Sequence, residues 1–146
     1  MKSTRLTPAL TISPQIEPED FAVLAADGVC LVINNRPDGE APAQLSAGEA
    51  ARHAAAAGIA YRHIPVTLPS LSHADIVAFR AAVQEAGGAV HAHCRSGARS
   101  ASLWLLGEIL DGAMTREEAR EIAAECGLSV QEALAWLDRH EAAGRR

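Results

Sequence analysis

A cysteine, two arginines and two serines lie within seven consecutive residues, in the segment Cys94-Arg95-Ser96-Gly97-Ala98-Arg99-Ser100. The apolar run Ala89–His93 precedes this segment, and the apolar run Ala101–Leu110 follows it. A buried strand that leads through a glycine-containing loop into a helix directs backbone N–H groups and the positive end of the helix dipole towards one point. The pattern therefore predicts an anion-binding loop with a thiol at its mouth.

The residue types in this loop indicate nucleophilic chemistry. A helix N-terminus and a neighbouring arginine stabilise negative charge on sulfur, so Cys94 is predicted to be a thiolate nucleophile. Arg99 can bind an oxyanion through two parallel N–H groups, and Ser100 can donate a hydrogen bond to the Cys94 sulfur. The catalytic candidates are thus Cys94, Arg99 and Ser100. The remaining loop residues, predicted to bind the anion or substrate, are Arg95, Ser96, Gly97 and Ala98.

Three residues outside this loop are auxiliary candidates, namely Arg36, Asp38 and His93. Arg36 and Asp38 follow a predicted strand, at the kind of strand end where α/β sites gather. Glu40, in the same loop, is instead expected to form a salt bridge within that loop. His93 is expected to make a hydrogen bond that orders the catalytic loop.

We predict neither a metal ion nor a cofactor. His91 and His93 alternate on one strand face, but no third and fourth ligand accompanies them at a suitable spacing. The other two cysteines, Cys30 and Cys126, are interpreted as small buried apolar residues. Because the three cysteines are widely spaced and form no CxxC pair, a disulfide framework is not expected.

The elements that position these residues follow from the alternation of short apolar runs with longer amphipathic segments. This alternation predicts an α/β fold, a small, mainly parallel sheet flanked by helices. Capping boxes such as Ser46/Glu49 predict where several helices begin. The predicted strands are Leu10–Ile12 (at an edge), Val29–Asn34, Ile59–Val66 and Ala89–His93. The predicted helices are Glu17–Ala26, Ala47–Ala57, Ala74–Ala86, Ala101–Leu110, Arg116–Glu125 and Val130–Glu141.

Composition limits the classes of protein that the chain can belong to. Its 146 residues predict one domain, 1–146. A net charge of −5 and a pI near 5.6 argue against a nucleic-acid partner. No apolar run is long enough to span a membrane, and no secretory signal is visible at the N-terminus. We therefore expect a cytoplasmic protein with no membrane partner.

The catalytic loop resembles the signature of cysteine-dependent phosphatases, H-C-x-x-G-x-x-R-S/T. The matching residues in this chain are His93, Cys94, Gly97, Arg99 and Ser100. Four residues separate Cys94 from Arg99, whereas the phosphatase pattern has five. The shorter form also resembles the loop of single-domain rhodaneses, which holds a cysteine persulfide.

Three separated segments carry a wider resemblance, VINNRPDGEAP, AAAAGIAYRHIPV and VHAHCRSGARSASLWLLG. Together they are similar to the phosphatase-like domain of beta-lactamase-hydrolase-like proteins, from about Leu10 to Leu110. This family is named both as phosphatase-like and as a sulfur transferase. The resemblance implies a protein-tyrosine-phosphatase-like fold, with residues 111–146 as a helical extension. Members also occur fused to persulfide dioxygenase or sulfide-oxidising modules, which implies a functional link to sulfide or persulfide oxidation enzymes.

One further departure from the family pattern bears on mechanism. Dual-specificity phosphatases usually carry an aspartate just after the strand corresponding to Ile59–Val66, where it protonates the leaving group. Here residues 67–72 contain no acid, Asp75 lies at a predicted helix cap, and Asp38 is the other candidate. Sulfur transfer to or from a thiolate needs no such acid.

The missing acid and the short loop together favour one of three hypotheses. The leading one is a rhodanese-type thiol sulfurtransferase that works through a Cys94 persulfide on a small thiol or persulfide. The alternative is a phosphatase-like hydrolase of phosphate monoesters, an oxyanion substrate, through a Cys94 phosphocysteine. A further alternative is a non-catalytic domain that binds an anion or a partner.

Overall fold

A five-stranded sheet forms the centre of the computed structural model, which describes residues 2–144. The strand order is β1-β2-β5-β3-β4. The three pairs β2–β5, β5–β3 and β3–β4 are parallel, and β1 pairs antiparallel with β2. The strands are β1 (Thr4–Thr7), β2 (Leu10–Ser13), β3 (Val29–Asn34), β4 (Ala60–His63) and β5 (Ala89–His93). The predicted α/β fold with a mainly parallel sheet is therefore confirmed.

Six helices, counted over the described residues, cover the two faces of this sheet. They are α1 (Asp20–Ala26), α2 (Ala47–Ala56), α3 (His73–Glu85), α4 (Ala98–Leu110), α5 (Arg116–Glu125) and α6 (Gln131–Gly144). Capping side chains explain where three of them begin, since Ser46, Ser72 and Thr115 each accept a hydrogen bond from the backbone N–H three residues on. The predicted starts of α2, α3 and α5 agree with these caps to within a residue.

The predicted strands and helices differ from the structure mainly at the sheet edges. The predicted edge strand is β2, which lies inside the sheet because β1 covers it on the outer side. The strand predicted over Ile59–Val66 is longer than the observed strand β4, which covers Ala60–His63. Beyond His63 the chain continues to bond the segment after β3, with Ile64 N–H donating to the Asn34 carbonyl at 2.9 Å and Val66 N–H to the Asn35 carbonyl at 3.1 Å.

Apolar side chains form one cluster on each face of the sheet. The larger cluster joins Ile33 of β3 to residues of α3, α4, α5 and α6, among them Phe79 and Leu137. The smaller cluster joins Val32 to residues of α1 and α2, such as Phe21 and Ala54. Consecutive residues of β3 point to opposite faces, so this strand contributes to both clusters. Helices α5 and α6 therefore pack against the same core as β5, the strand that leads to Cys94.

The side chain of Trp136 connects α6 to the segment before α3. It is 9% exposed, and its indole N–H donates to the Leu71 carbonyl at 2.9 Å. Trp136→Phe should lower the free energy of unfolding by about 1–3 kcal/mol, because the carbonyl loses its donor. Trp104→Phe is the control, since Trp104 lies under the Arg80 guanidinium and its indole N–H has no acceptor among the described residues. Equal losses in urea titrations would contradict the role of the hydrogen bond.

Candidate active site

Cys94 lies at the carboxyl end of the central strand β5 and is completely buried. Its backbone N–H donates to the Ser13 carbonyl at the end of β2 at 3.4 Å. On the other side, the Asn35 N–H donates to the His93 carbonyl at 2.8 Å. The start of the catalytic loop is therefore held between the ends of both neighbouring strands.

The loop from Cys94 to Arg99 closes around the sulfur. Gly97 N–H donates to Cys94 Sγ at 3.0 Å. Gly97 has a φ of 97°, in the left-handed region that glycine adopts without steric cost, and it precedes the first residue of α4. This turn brings the N-terminus of α4 to the sulfur, as the sequence predicts.

Several backbone N–H groups of the loop remain available to a ligand. Those of Arg95, Ser96, Arg99 and Ser100 have no acceptor among the described residues. Unpaired donors at a helix N-terminus form a site that favours an anion. Arg95 and Ser96 are exposed, so this part of the loop is open to solvent.

Arg99 presents one edge of its guanidinium to the protein. Nη1 and Nη2 donate to the two carboxylate oxygens of Glu40, each at 2.8 Å, and Nη1 also donates to the Val66 carbonyl at 2.9 Å. These bonds use three of the five N–H donors of arginine. The Nε–H and one N–H of Nη2 are not used by Glu40 or Val66, and such a parallel pair can bind an oxyanion with two hydrogen bonds. The guanidinium also interacts with the Cys94 side chain.

The electrostatics agree with this geometry. The pKa of Arg99 is raised, first by its hydrogen bonds to Glu40 and also by the charge of the nearby Cys94 sulfur, while burial acts in the opposite direction. The hydrogen bond from Arg99 is likewise the largest influence on Glu40, whose pKa is lowered to about 2. Arg36 contributes to this lowering, and partial burial opposes it.

Glu40 connects Arg99 to a second, buried arginine. Arg36 is 4% exposed; its Nε donates to Glu40 at 2.9 Å, and its Nη1 donates to Gln15 at 3.0 Å. The predicted salt bridge within the loop is thus present, but the prediction missed the longer contact from Glu40 to Arg99. Arg36 is thus linked to Arg99 through Glu40, and its side chain is buried.

Ser100 does not make the predicted contact. Its hydroxyl donates to Asn35 Oδ1 at 2.8 Å instead of to the Cys94 sulfur. The side chain is completely buried, and Asn35 in turn donates to the Ile64 carbonyl at 2.9 Å. Ser100 therefore connects the first turn of α4 to the segments after β3 and β4.

Asp38 is held by a helix N-terminus. Its Oδ1 accepts a hydrogen bond from the Ala47 N–H at 2.9 Å, at the start of α2. This contact satisfies one of the free N–H groups of the helix and stabilises negative charge there. Asp38 is thus a capping residue in this structure, where the sequence suggested an acid for the active site.

His93 and His91 are buried beside one another on the face of the sheet that carries α1 and α2. Among residues 2–144 neither ring nitrogen of His93 has a partner at ordinary hydrogen-bond geometry, although an interaction with the Cys94 backbone acts to raise its pKa. Burial is the main reason that the pKa of His93 is lowered to about 3 and that of His91 to about 4. His91 contacts Thr11 and Ser13 through its two nitrogens at 2.7 and 2.8 Å. Both rings are therefore neutral at pH 7.

The other two cysteines are half-buried and lie outside this loop. The Cys30 thiol donates to the Ala89 carbonyl at 3.3 Å. Burial is the first cause that raises the pKa of Cys126. Three residues near the site were missed by sequence reasoning, since their contacts come from distant segments: Gln15, Asn35 and Val66.

The fold and the cysteine-arginine loop together define a phosphatase-like α/β protein of the protein-tyrosine-phosphatase type. A family model described as "Beta-lactamase hydrolase-like protein, phosphatase-like domain" matches residues 3–111. The chain therefore belongs to this family, as the sequence resemblance indicated. Helices α5 and α6 lie beyond the matched residues.

Comparisons with known proteins agree with this assignment. A Beta-lactamase hydrolase-like protein of Agrobacterium fabrum is 41% identical over 98% of this chain, which spans only 33% of that relative. The crystal structure of a candidate phosphatase from Neisseria meningitidis superimposes with a TM-score of 0.81 at 29% identity, covering 90% of this chain and 94% of the other. The structure of Tk-PTP in its active form has a TM-score of 0.69 at 18% identity and covers 94% of each chain, so it shares the fold.

No group of three or more His, Cys, Asp or Glu side chains in residues 2–144 is arranged to hold a metal ion. No helix within the same range combines the length and apolar character needed to cross a bilayer.

Replacing Arg99 with lysine should weaken anion binding, because an ammonium group cannot supply the parallel N–H pair. We expect the sulfate affinity of Arg99→Lys, measured by calorimetry, to fall roughly tenfold or more. Arg62→Lys, at an exposed position of β4, is the matched control and should bind as the wild type does. An unchanged affinity in Arg99→Lys would show that the guanidinium does not contact the anion.

Glu40→Gln should destabilise the fold, because the buried Arg36 and the partly buried Arg99 both lose their counter-charge. The Glu40 side chain is 23% exposed, so we expect a loss of about 1–3 kcal/mol at pH 7. A lowered carboxylate pKa contributes stability above the ordinary value of 4.5, and that contribution is lost as the pH falls towards about 2.

The difference between the wild type and Glu40→Gln should therefore shrink in urea titrations as the pH is lowered below 4.5. Glu132→Gln, at an exposed position of α6, provides the control and should have little effect at any pH. A difference that stays constant across this range would exclude the ion pairs as its cause.

Proposed function

We propose that this protein is a cysteine-dependent phosphatase that hydrolyses phosphate monoesters through a Cys94 phosphocysteine. One observation carries the proposal: the Cys94 sulfur accepts the Gly97 N–H and interacts with the Arg99 guanidinium, in a loop that has further unpaired backbone N–H groups. The 29% identical neighbour described as a phosphatase supports phosphoryl chemistry over sulfur transfer. Because the chain spans a third of its curated relatives, the activity proposed is that of this domain.

The first step forms a covalent intermediate. The Cys94 thiolate attacks phosphorus, an S–P bond forms, and the P–O bond to the leaving group breaks. The loop N–H groups and Arg99 stabilise the three non-bridging oxygens, on which charge is concentrated in the transition state. Water then attacks the phosphocysteine, releases inorganic phosphate and regenerates the thiolate.

Sulfur transfer through a Cys94 persulfide is the second candidate. The observation in its favour is the spacing of four residues between Cys94 and Arg99, one fewer than in the phosphatase pattern that this loop resembles. A shorter loop offers fewer N–H donors, and a single sulfur atom requires fewer. The functional link to sulfide or persulfide oxidation enzymes and the cytoplasmic location stay predictions.

The two activities can be compared in one preparation. We expect the wild-type protein to hydrolyse p-nitrophenyl phosphate with a higher kcat/KM than it transfers sulfur from thiosulfate to cyanide. Cys94→Ser should reduce phosphate release by at least about 10³-fold, because a serine hydroxyl stays protonated. Cys126→Ser is the matched control, since this thiol lies outside the loop, and it should retain activity.

Intact-mass analysis after rapid acid quenching should detect one phosphoryl group on the wild-type protein and none on Cys94→Ser. A larger kcat/KM for sulfur transfer, with a Cys94-dependent gain of one sulfur atom, would promote the second candidate. Anion binding without either activity would instead favour a non-catalytic domain.

A further inference from the structure

Three carboxylates considered as acids for the candidate active site, those of Asp38, Glu40 and Asp75, are each engaged in other contacts. Glu40 is paired with Arg99 and Arg36, and its low pKa keeps it ionised at neutral pH. The Asp38 carboxylate accepts the Ala47 N–H, and Asp75 accepts the Ser72 N–H at 3.0 Å within the capping box of α3. An ionised carboxylate such as that of Glu40 has no proton to donate. The side chains of Asp38 and Asp75 are held at helix N-termini by their capping hydrogen bonds.

The segment after β4 lies against the catalytic arginine and is fixed by its own contacts. The Val66 carbonyl oxygen accepts a hydrogen bond from Arg99 Nη1 at 2.9 Å, and Thr67 is the next residue in the chain. The Thr67 and Ser70 hydroxyls lie 2.7 Å apart, and Ser70 N–H donates to the Thr67 carbonyl at 3.2 Å. The Leu71 carbonyl is bound by Trp136. This closed turn presents hydroxyl groups, whose protons are far less acidic than that of a carboxylic acid.

We propose, building on the phosphatase function above, that this site acts on phosphoryl compounds whose leaving group departs as a stable anion without protonation, with acyl phosphates as the biological class. We assign the position of the missing acid to Thr67, because this residue directly follows Val66, whose carbonyl accepts a hydrogen bond from Arg99. Phosphate esters of alcohols and of unactivated phenols are poor substrates, because their basic leaving oxygen requires a proton in the transition state.

The reaction balances without an added acid or oxidant. Cys94 thiolate and an acyl phosphate dianion give phosphocysteine and a carboxylate, as the S–P bond forms and the electron pair of the P–O bond stays on the carboxylate. Water then adds to phosphorus, the S–P bond breaks, and its electron pair returns to the Cys94 sulfur. Both protons of the water leave on the phosphate, which is released as the dihydrogen anion.

A leaving-group series tests this inference with the protein as it is. The probes are acetyl phosphate, p-nitrophenyl phosphate, phenyl phosphate and glycerol 3-phosphate, with phosphate release measured against a Cys94→Ser blank. We expect kcat/KM to fall by roughly 10²- to 10⁴-fold from the first two probes to the last two, the size of a general-acid contribution. Comparable values across the series would overturn the inference and leave the phosphatase function intact. No Cys94-dependent release from any probe would overturn the phosphatase function and the inference with it.

A matched pair of variants tests the assigned position. Thr67→Asp places a carboxylic acid there and retains a side chain that can accept the Ser70 N–H, as Thr67 does at 3.3 Å. It should raise kcat/KM for phenyl phosphate about tenfold or more at acidic pH while changing that for p-nitrophenyl phosphate little. Thr67→Asn has the same shape without the proton and should leave both unchanged. An equal effect of the two variants, or a folded Thr67→Asp without the gain, would overturn the assignment of this position.

Discussion

The central position of β5 is the constraint on which the rest of the site depends. Parallel hydrogen bonding to β2 on one side and β3 on the other holds the strand up to His93. Cys94 follows immediately, and α4 begins at Ala98. The chain must therefore change from strand to helix within four residues, and the left-handed Gly97 makes that turn with its N–H aimed at the sulfur. The burial of the thiol and its proximity to a helix N-terminus both follow from this geometry.

Charge compensation is the second organising feature. Arg36 and Arg99 bring two positive charges to one end of the sheet, and neither guanidinium can lose its proton in a protein. A single carboxylate, Glu40, contacts both, and one pair of Arg99 donors is used by neither Glu40 nor Val66. The pairing lowers the cost of burying Arg36 and fixes the plane of Arg99 while leaving an excess of positive charge for an anion.

The two helical layers have different relations to the site. The layer formed by α3 to α6 carries most of the apolar core. It includes α4, which begins directly after the Gly97 that contacts the Cys94 sulfur. The layer of α1 and α2 is smaller, and α2 is joined to the site through Asp38, which caps it from the loop after β3. The loop that supplies Arg36 and Glu40 is therefore held at both ends, by β3 and by the N-terminus of α2. This arrangement explains how a polar loop can orient the Arg99 guanidinium.

The sequence by itself determined the bounds of β3, β5 and α5 and the place of the loop from Cys94 to Arg99 between a strand and a helix, and the family followed from the resemblance of three separated segments. The element bounds and the loop depend on residues that are neighbours in the chain. An apolar run of strand length, a glycine before a helix and a capping box are local signals of this kind. Tertiary structure decided the partners of the polar side chains. Glu40 meets Arg99 across 59 positions, and Ser100 meets Asn35 across 65. Such contacts depend on which strand ends are adjacent in the sheet. No local sequence pattern predicts the strand order β1-β2-β5-β3-β4, because this order results from the joint burial of apolar side chains on the two faces of the sheet.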